Sequence, residues 1–369
     1  MAALMIVLDG MQDIAYTELG GLTPYEYGRG EHFTTIEQNS LKGRLVTTPD
    51  GFEPDTQTCV LALLGVDPRA IPHGRSYIEA LAVGLDFGPD DIIMRCNFVK
   101  IDEAGHLAVP CCSAPSDVAA ALRAAVAAQD GYSITAVGSY KSLEIIKGAA
   151  RYMDGLETSM PHQHQGEPLE RLLPRGNALA DTLAGFSRKM LAEHAPYTVF
   201  NWAQAVKSTL PAFSSLHPGL SGAMISKTDA PIGGAIAMGM ACPPLPTATG
   251  DTDTDLPAKV RATLEMLDEH DFVMLHIGGP DEATHRQDVR EKADFIAKLD
   301  REVIGPLLGA CAAGTRIMVT CDHVGLCTTA GHTDDPVDFM LWEKGASMGG
   351  DAGTVAAAEA VTLLTHSSV

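Results

Sequence analysis

The sequence lacks the features that would direct the chain to a membrane or to an oxidising compartment. No apolar run reaches the roughly 18 residues that span a bilayer, and the opening MAALMIVLDG has no basic segment ahead of its apolar stretch. A cytoplasmic address is expected. CxxC pairs are also missing: the eight cysteines, at 59, 96, 111, 112, 242, 311, 321 and 327, mostly sit in apolar runs and read as reduced core thiols. Basic residues are scarce, with 26 Lys and Arg against 47 Asp and Glu, a formal charge of −21. A field of that sign repels phosphate backbones and anionic lipid, so neither nucleic acid nor a membrane is expected as a partner. It repels small anionic substrates too, unless metal ions and a few placed arginines reverse the sign locally. No internal repeat, coiled coil or low-complexity tract is found.

What is present points to a two-domain α/β protein. The 369 residues exceed what one core usually organises, and a 46% apolar composition supplies material for two. Strand-like runs ALMIVLD (3–9), DFVMLHI (271–277) and RIMVTCD (316–322) combine with a helical pattern over 289–308, the order of a mostly parallel sheet flanked by helices. Each run ends in an acidic residue or leads into a Gly-Pro-Asp turn, at the strand ends where open α/β sheets place their ligands. Between 72 and 215 the texture changes to DIIMRCNFVKI, an Ala-rich helix over 116–128, YSITAVG, the loop HQHQGEP and a helical stretch over 168–194. This reads as a smaller inserted α+β domain that interrupts a catalytic domain made of 1–71 and 216–369. Pro and Gly cluster at both joins, in GVDPRAIPHG and TLPAFSSLHPG.

Several short motifs carry candidate chemistry. In PDEATH (280–285), Asp281 and His285 are spaced i, i+4 and share one face of a helix, where they can grip a divalent cation. The plainer alternative makes Asp281 a helix cap. CDHVG places Asp322 beside His323 at a strand tip, and His332 follows in AGHTDDPVD. Mixed carboxylate and imidazole sets suit Zn²⁺ or Mn²⁺. Asp9 ends the first strand ahead of Gly10, and Thr56 lies in GFEPDTQTCVLALLG, a loop opening into an apolar helix. Thr56 reads either as that helix's cap or as a hydroxyl that a metal can activate into a nucleophile.

Four separated segments, LDGMQD with GGLTPYE, PDTQTCVLALLGVDP, HGRSYIEAL with DIIMRCNFV, and LHIGGPDEATH with CDHVG and HTDDPV, match one family in order and spacing. The chain resembles the archaeal-type cofactor-independent (2,3-bisphosphoglycerate-independent) phosphoglycerate mutases of the alkaline phosphatase superfamily. The resemblance implies two divalent ions, and the ligand types fit Mn²⁺ or Zn²⁺ best, with Mg²⁺ as a further option. Asp281, His285 and His332 would hold one; Asp9, Thr56, Asp322 and His323 would hold the other. It also implies that Thr56 is the covalent nucleophile, where the family presents Ser followed by Asp and this chain presents Thr56 followed by Gln57.

The resemblance thins where the family grips its substrate. Arg75, Arg95 and Asn97 remain as substrate-binding candidates, with Glu79 as a retained neighbour. The family's arginine-rich turn is replaced by GHLAVPCCSAPS, its Arg-Gly segment by NWAQAVK, and its lysine near 232 by Ile232, with Lys227 and Lys207 as stand-ins. His162 and His164 in MPHQHQGEP offer replacement polar contacts, against the alternative of a solvated loop. Losing two or three bidentate arginine contacts, each on the order of 1.5–3 kcal/mol, removes roughly two to five decades of recognition. The expected substrate is therefore a small phosphorylated or phosphonate compound other than simple phosphoglycerate. A mutase needs a closed, dry cleft, which the inserted domain is expected to supply. A phosphohydrolase or phosphodiesterase with an open cleft, transfer of a phosphonoformyl or phosphoryl group from a nucleotide donor, and a non-catalytic scaffold remain as alternatives.

Overall fold

The computed structural model describes residues 2–72 and 74–366. The chain divides into two compact units, one running up to Ile71 and resuming at Leu210, the other spanning Pro72–Thr209. The second join thus falls before the expected 215/216.

The first unit is built on a seven-stranded sheet. Its order is Asp351–Ala356, Leu41–Val46, Val337–Glu343, Arg316–Thr320, Ala3–Leu8, Phe272–Ile277, Gly222–Ile225. The central strands ALMIVL and FVMLHI are buried at every position. Unbroken apolar runs of this kind belong to parallel strands covered on both faces. Ala3–Leu8 accordingly pairs in parallel with Phe272–Ile277 on one side and Arg316–Thr320 on the other. Antiparallel pairs enter only on the side of Val337–Glu343 and Leu41–Val46. Parallel pairing carries the three motif-bearing strands to the same sheet edge, so Asp9, the turn before Asp281 and the Asp322–His323 pair emerge together.

The expected helix over 289–308 is a continuous helical run, Val289–Leu299 and Gly305–Ala310, with a π-turn at Asp300–Ile304 between them. Pro306 has no N–H to donate to an i−4 carbonyl, and the extra residue of the π-turn sits just ahead of it. Asp300 in that turn also serves another helix. Gly30 precedes helix Glu31–Asn39 and has no side chain to cap it, and Asp300 accepts from Phe33 N at 2.7 Å instead.

The second unit has an antiparallel sheet centred on Ile92–Ile101, which pairs with Lys141–Ile146 and with Tyr197–Val206. Period-two alternation gives this strand two characters. Met94, Cys96 and Phe98 pack among residues of helices Ser116–Ala127 and Ala178–His194, while Arg95 and Asn97 point the other way. The helical stretch expected over 168–194 is two helices, Leu169–Leu172 and Ala178–His194. Pro174 and Gly176 break it, and Asn177 starts the second helix by accepting from Leu179 N and Ala180 N.

Candidate metal centre

Asp9 leaves the first strand and Gly10 turns the chain at φ +57°. A Cβ at residue 10 would lie 2.7 Å from Asp281 Oδ1, so only glycine fits this approach. The Gly10 N–H donates to Asp322 Oδ1 at 3.2 Å, which ties two strand ends together. Asp9 then faces two imidazoles, with His323 Nε2 3.3 Å from its Oδ1 and His276 Nε2 3.3 Å from its Oδ2. His323 Nε2 is also 3.5 Å from Asp322 Oδ2. All four side chains are buried.

On the adjoining side, the PDEATH motif forms helix Gly279–His285, whose cap position is Gly278. Asp281 therefore is not the cap, and its carboxylate divides between two histidines. Oδ2 lies 3.1 Å from His285 Nε2, and Oδ1 lies 3.1 Å from His332 Nε2. His332 sits in a small hairpin, Val324–Leu326 with Gly331–Thr333, and stacks on the His323 ring at 3.8 Å between centroids. The other ring nitrogens are held by carbonyls: His285 Nδ1 by Ala330 O at 3.1 Å, His332 Nδ1 by Pro54 O at 2.9 Å. With a carbonyl at Nδ1, the neutral form of each ring carries its proton there, and it is Nε2 whose lone pair a cation would take in place of the proton shared with Asp281.

The Pro54 contact also brings in the Thr56 loop. Helix Thr56–Leu63 is capped by Asp55, whose carboxylate accepts from Thr58 N at 3.1 Å. Thr56 is the first helical residue and its hydroxyl is not the cap. Behind the centre, fully buried Lys292 donates to Asp13 Oδ2 at 2.9 Å and to Gly325 O at 2.8 Å. That anchors the loop after the first strand to the hairpin that carries His332.

The electrostatics of this cluster call for cations. Burial pushes Asp9 well above the usual carboxylate range, and the charges of Asp322 and Asp281 push it further. Burial would raise Asp281 as well, yet His285 and His332 pull it well below its ordinary value. Hydrogen bonding to Asp281 lifts His285 to about 9, while burial depresses His323 and takes His276 to about 4. Asp9 Oδ1, Asp322 Oδ2, His276 Nε2 and both ring nitrogens of His323 have no hydrogen-bond partner among the described residues. Leaving one such buried group unpaired costs about 1–3 kcal/mol. Converging carboxylate oxygens and imidazole lone pairs are the donor set of divalent ions, and these residues fit them. Ligand atoms of Asp281, His323 and His332 lie within 4.8 Å of one another, as do those of Asp9, His276 and Asp322. Geometry thus places His323 within reach of both groups and adds His276.

The substrate-binding candidates divide between the units. Arg95, Asn97 and His162 come together in the second. Register sets Arg95 opposite Trp202 and Asn97 opposite Lys141 on one sheet face. Arg95 lies 4.6 Å over the Trp202 ring and gives its Nε and Nη2 to Glu79. Burial would raise Glu79, but Arg95, Lys141 and Arg75 hold it below its ordinary value. Asn97 donates to Cys111 Sγ at 3.3 Å, and the same sulfur is 3.3 Å from His162 Nδ1. Burial, with Arg95 and Arg75 nearby, takes His162 down to about 4, so it is a neutral group here. Arg75 occupies the cap position of helix Ser76–Ala82 without a side-chain capping bond. Lys227 belongs to the first unit. Lys207, also in the second unit, donates to the exposed Asp86 and to the Phe87 carbonyl at 3.3 Å each. His164 pairs with Glu167 at 2.9 Å.

Comparison with known proteins places the chain among metalloenzymes. A family model described as the metalloenzyme superfamily matches residues 1–366. A 2,3-bisphosphoglycerate-independent phosphoglycerate mutase of Methanothrix thermoacetophila is 31% identical over 370 residues, with 94% of this chain and 91% of the relative covered. A second mutase of that description, from Methanothermobacter thermautotrophicus, is 31% identical over 363 residues, covering 92% and 88%. The chain belongs to this metalloenzyme family. It is a metal-dependent enzyme of phosphomutase or phosphotransferase type. The fold is shared with a solved Pyrococcus horikoshii protein at TM-score 0.77 and 23% identity, covering 99% of this chain and 97% of that one. A cofactor-independent phosphoglycerate mutase from Thermoplasma acidophilum superposes at TM-score 0.61 and 20% identity, covering 99% of each chain. No helix among the described residues is long and apolar enough to cross a membrane.

Two further residues around this centre are not marked by any motif in the sequence. His276 sits inside the apolar run FVMLHI, where its signal is a lone imidazole in an otherwise hydrocarbon strand. Asp55 was hidden by its neighbour, because Asp and Thr both cap helices and only the backbone shows which one does.

Proposed function

We propose that this enzyme transfers a phosphoryl or related phosphorus group through a covalent intermediate on Thr56, using a substrate other than simple phosphoglycerate. The observation that carries the reading is the set of partnerless, buried donor atoms on Asp9, Asp322 and His323, tied to the Thr56 loop through the His332–Pro54 hydrogen bond. Two divalent ions fit, one toward Asp281, His285 and His332, the other toward Asp9, Thr56, Asp322 and His323. When bound, such ions neutralise the phosphorus group's charge and acidify a hydroxyl in contact with them.

The chain's own residues set the geometry of attack. Asp55 fixes the first turn of the helix, and the β-branch of Thr56 restricts χ1, so its oxygen is held to few directions. In the transfer, Thr56 Oγ1 forms the bond to phosphorus, loses its proton, and the donor oxygen departs with its bonding pair. A second hydroxyl then takes the group and restores Thr56. The second unit supports a changed substrate. Arg95 has Nε and Nη2 committed to Glu79, and a neutral His162 beside Cys111 and Asn97 offers hydrogen bonds where a phosphoglycerate site needs cations.

A metal-supplemented screen of phospho-esters, phosphonates and nucleotide-linked donors, followed by phosphorus NMR, tests the reading. Group transfer between hydroxyls, with intact mass after quenching showing the group on Thr56, is the expected result. Steady release of inorganic phosphate with no transferred product would make the enzyme a hydrolase.

A further inference from the structure

The structure assigns a metal-binding role to a residue outside the implied ligand set: we propose that His276 binds, through Nε2, the same divalent ion as Asp9 and Asp322. The inference rests on the metal centre described above and adds a donor to it.

His276 lies in the central strand Phe272–Ile277 with no exposed surface. Its Nδ1 is 3.2 Å from Ser226 Oγ, and that oxygen already accepts from Thr228 N at 3.1 Å. The remaining lone pair of that oxygen can take the Nδ1–H, and in that tautomer Nε2 is the unprotonated nitrogen. His285 and His332 have the same arrangement, each with Nδ1 on an oxygen and Nε2 against a carboxylate. Nε2 of His276 is 3.3 Å from Asp9 Oδ2, yet it has no hydrogen-bond partner among the described residues. In that tautomer Nε2 and the ionised carboxylate both present lone pairs, which repel at that distance in a dry interior, and a cation shared between them turns the repulsion into coordination. Asp322 contributes the third donor, since the ligand atoms of Asp9, His276 and Asp322 all lie within 4.8 Å of one another. The strand is held at this residue from behind by fully buried Lys259, which donates to the His276 carbonyl at 3.3 Å.

The consequence is selectivity. With His276 and His323 together, this ion meets two imidazoles as well as two carboxylates. A nitrogen-richer set favours Zn²⁺ or Co²⁺ and discriminates against Mg²⁺, which prefers oxygen.

The test counts imidazoles directly. The full-length apoprotein, with nitrogen-labelled histidine, is loaded with an NMR-active cadmium isotope as the probe for a zinc-like ion. Histidine ring nitrogens split by cadmium are then counted. Four split signals are expected, from His276, His285, His323 and His332. In His276→Gln one of the four disappears, and a chelator competition shows one of the two ions bound at least about tenfold more weakly. Three split signals in the wild-type protein, with His276 unsplit, overturn the inference and leave the rest of the centre standing. No split signal at all overturns the centre itself. If His276→Gln does not fold, the wild-type count alone decides.

Discussion

Asp55 accepts from Thr58 N and so takes the duty of capping helix Thr56–Leu63. The Thr56 hydroxyl is therefore not the cap, which leaves it available for the proposed role as nucleophile. Thr56→Ser keeps an attacking oxygen and is expected to retain much of the activity. Thr56→Ala is expected to lose at least about a thousandfold, roughly 4 kcal/mol of transition-state stabilisation. Steady-state kinetics on the substrate found by the phosphorus NMR screen checks this, and near-normal turnover of Thr56→Ala would show that the acceptor attacks directly. The residues of the centre were legible in the sequence where polar ligand types break out of apolar strands, as in PDEATH and CDHVG. They were not legible where burial hides them: His276 obeys the apolar periodicity of its strand in every respect except its chemistry, and only the register beside Asp9 gives it a meaning.

The strand Lys141–Ile146 shows how an element can bury a charge-bearing group. Glu144 stands opposite Met94, on the face that packs against the helices, and is fully buried. Asn201 donates to it at 2.6 Å, yet burial pushes its carboxyl up to about 7. The unfolded chain releases that proton near the ordinary value of about 4.3, so between there and about 7 the native state holds more protons. This contribution to stability is complete at acid pH and is lost as pH rises through about 7. Urea midpoints of the wild-type protein are expected to fall between pH 5.5 and 8 more steeply than those of Glu144→Gln, by an amount on the order of 2 kcal/mol. Equal slopes would mean the carboxyl is ionised throughout. At this scale the strands were well read from sequence, because unbroken apolar runs have few alternatives. Helix ends were read less well, since the Pro174 and Gly176 break and the π-turn before Pro306 depend on local backbone hydrogen bonding that periodicity does not report.

The whole molecule carries a charge of −21, and its centre gathers Asp9, Asp281 and Asp322 into one place. Divalent ions that bind only the folded chain stabilise it, by about 2.7 kcal/mol for each ion at a hundredfold excess over Kd. Chelation is therefore expected to lower the thermal midpoint, and re-addition of Mn²⁺ or Zn²⁺ to restore it. An unchanged midpoint in calorimetry would count against both ions. Ordinary phosphoglycerate mutase turnover is expected to be weak or absent, because Arg95 is paired with Glu79 and thiols stand at 111 and 112. A coupled assay giving about 10 s⁻¹ or more on 3-phosphoglycerate, a typical metabolic rate, would reverse that view.

The interruption of the first unit between Ile71 and Leu210 also has a temporal side. Strand Ala3–Leu8 is made before both of its neighbours, since Phe272–Ile277 and Arg316–Thr320 lie beyond the whole second unit in the chain. Until they arrive it is an apolar strand with two open edges, a template for wrong partners. The second unit faces no such wait, because Ile92–Ile101 finds its partners within Pro72–Thr209. Shorter loop closures form sooner, so pulsed hydrogen exchange during refolding is expected to protect Ile92–Ile101 before Ala3–Leu8, and the reverse order would refute it. Growing chains of this enzyme thus carry an apolar strand unpaired through the synthesis of the whole second unit, and a chaperone that shelters Ala3–Leu8 is expected to raise yield more than one acting on the finished fold.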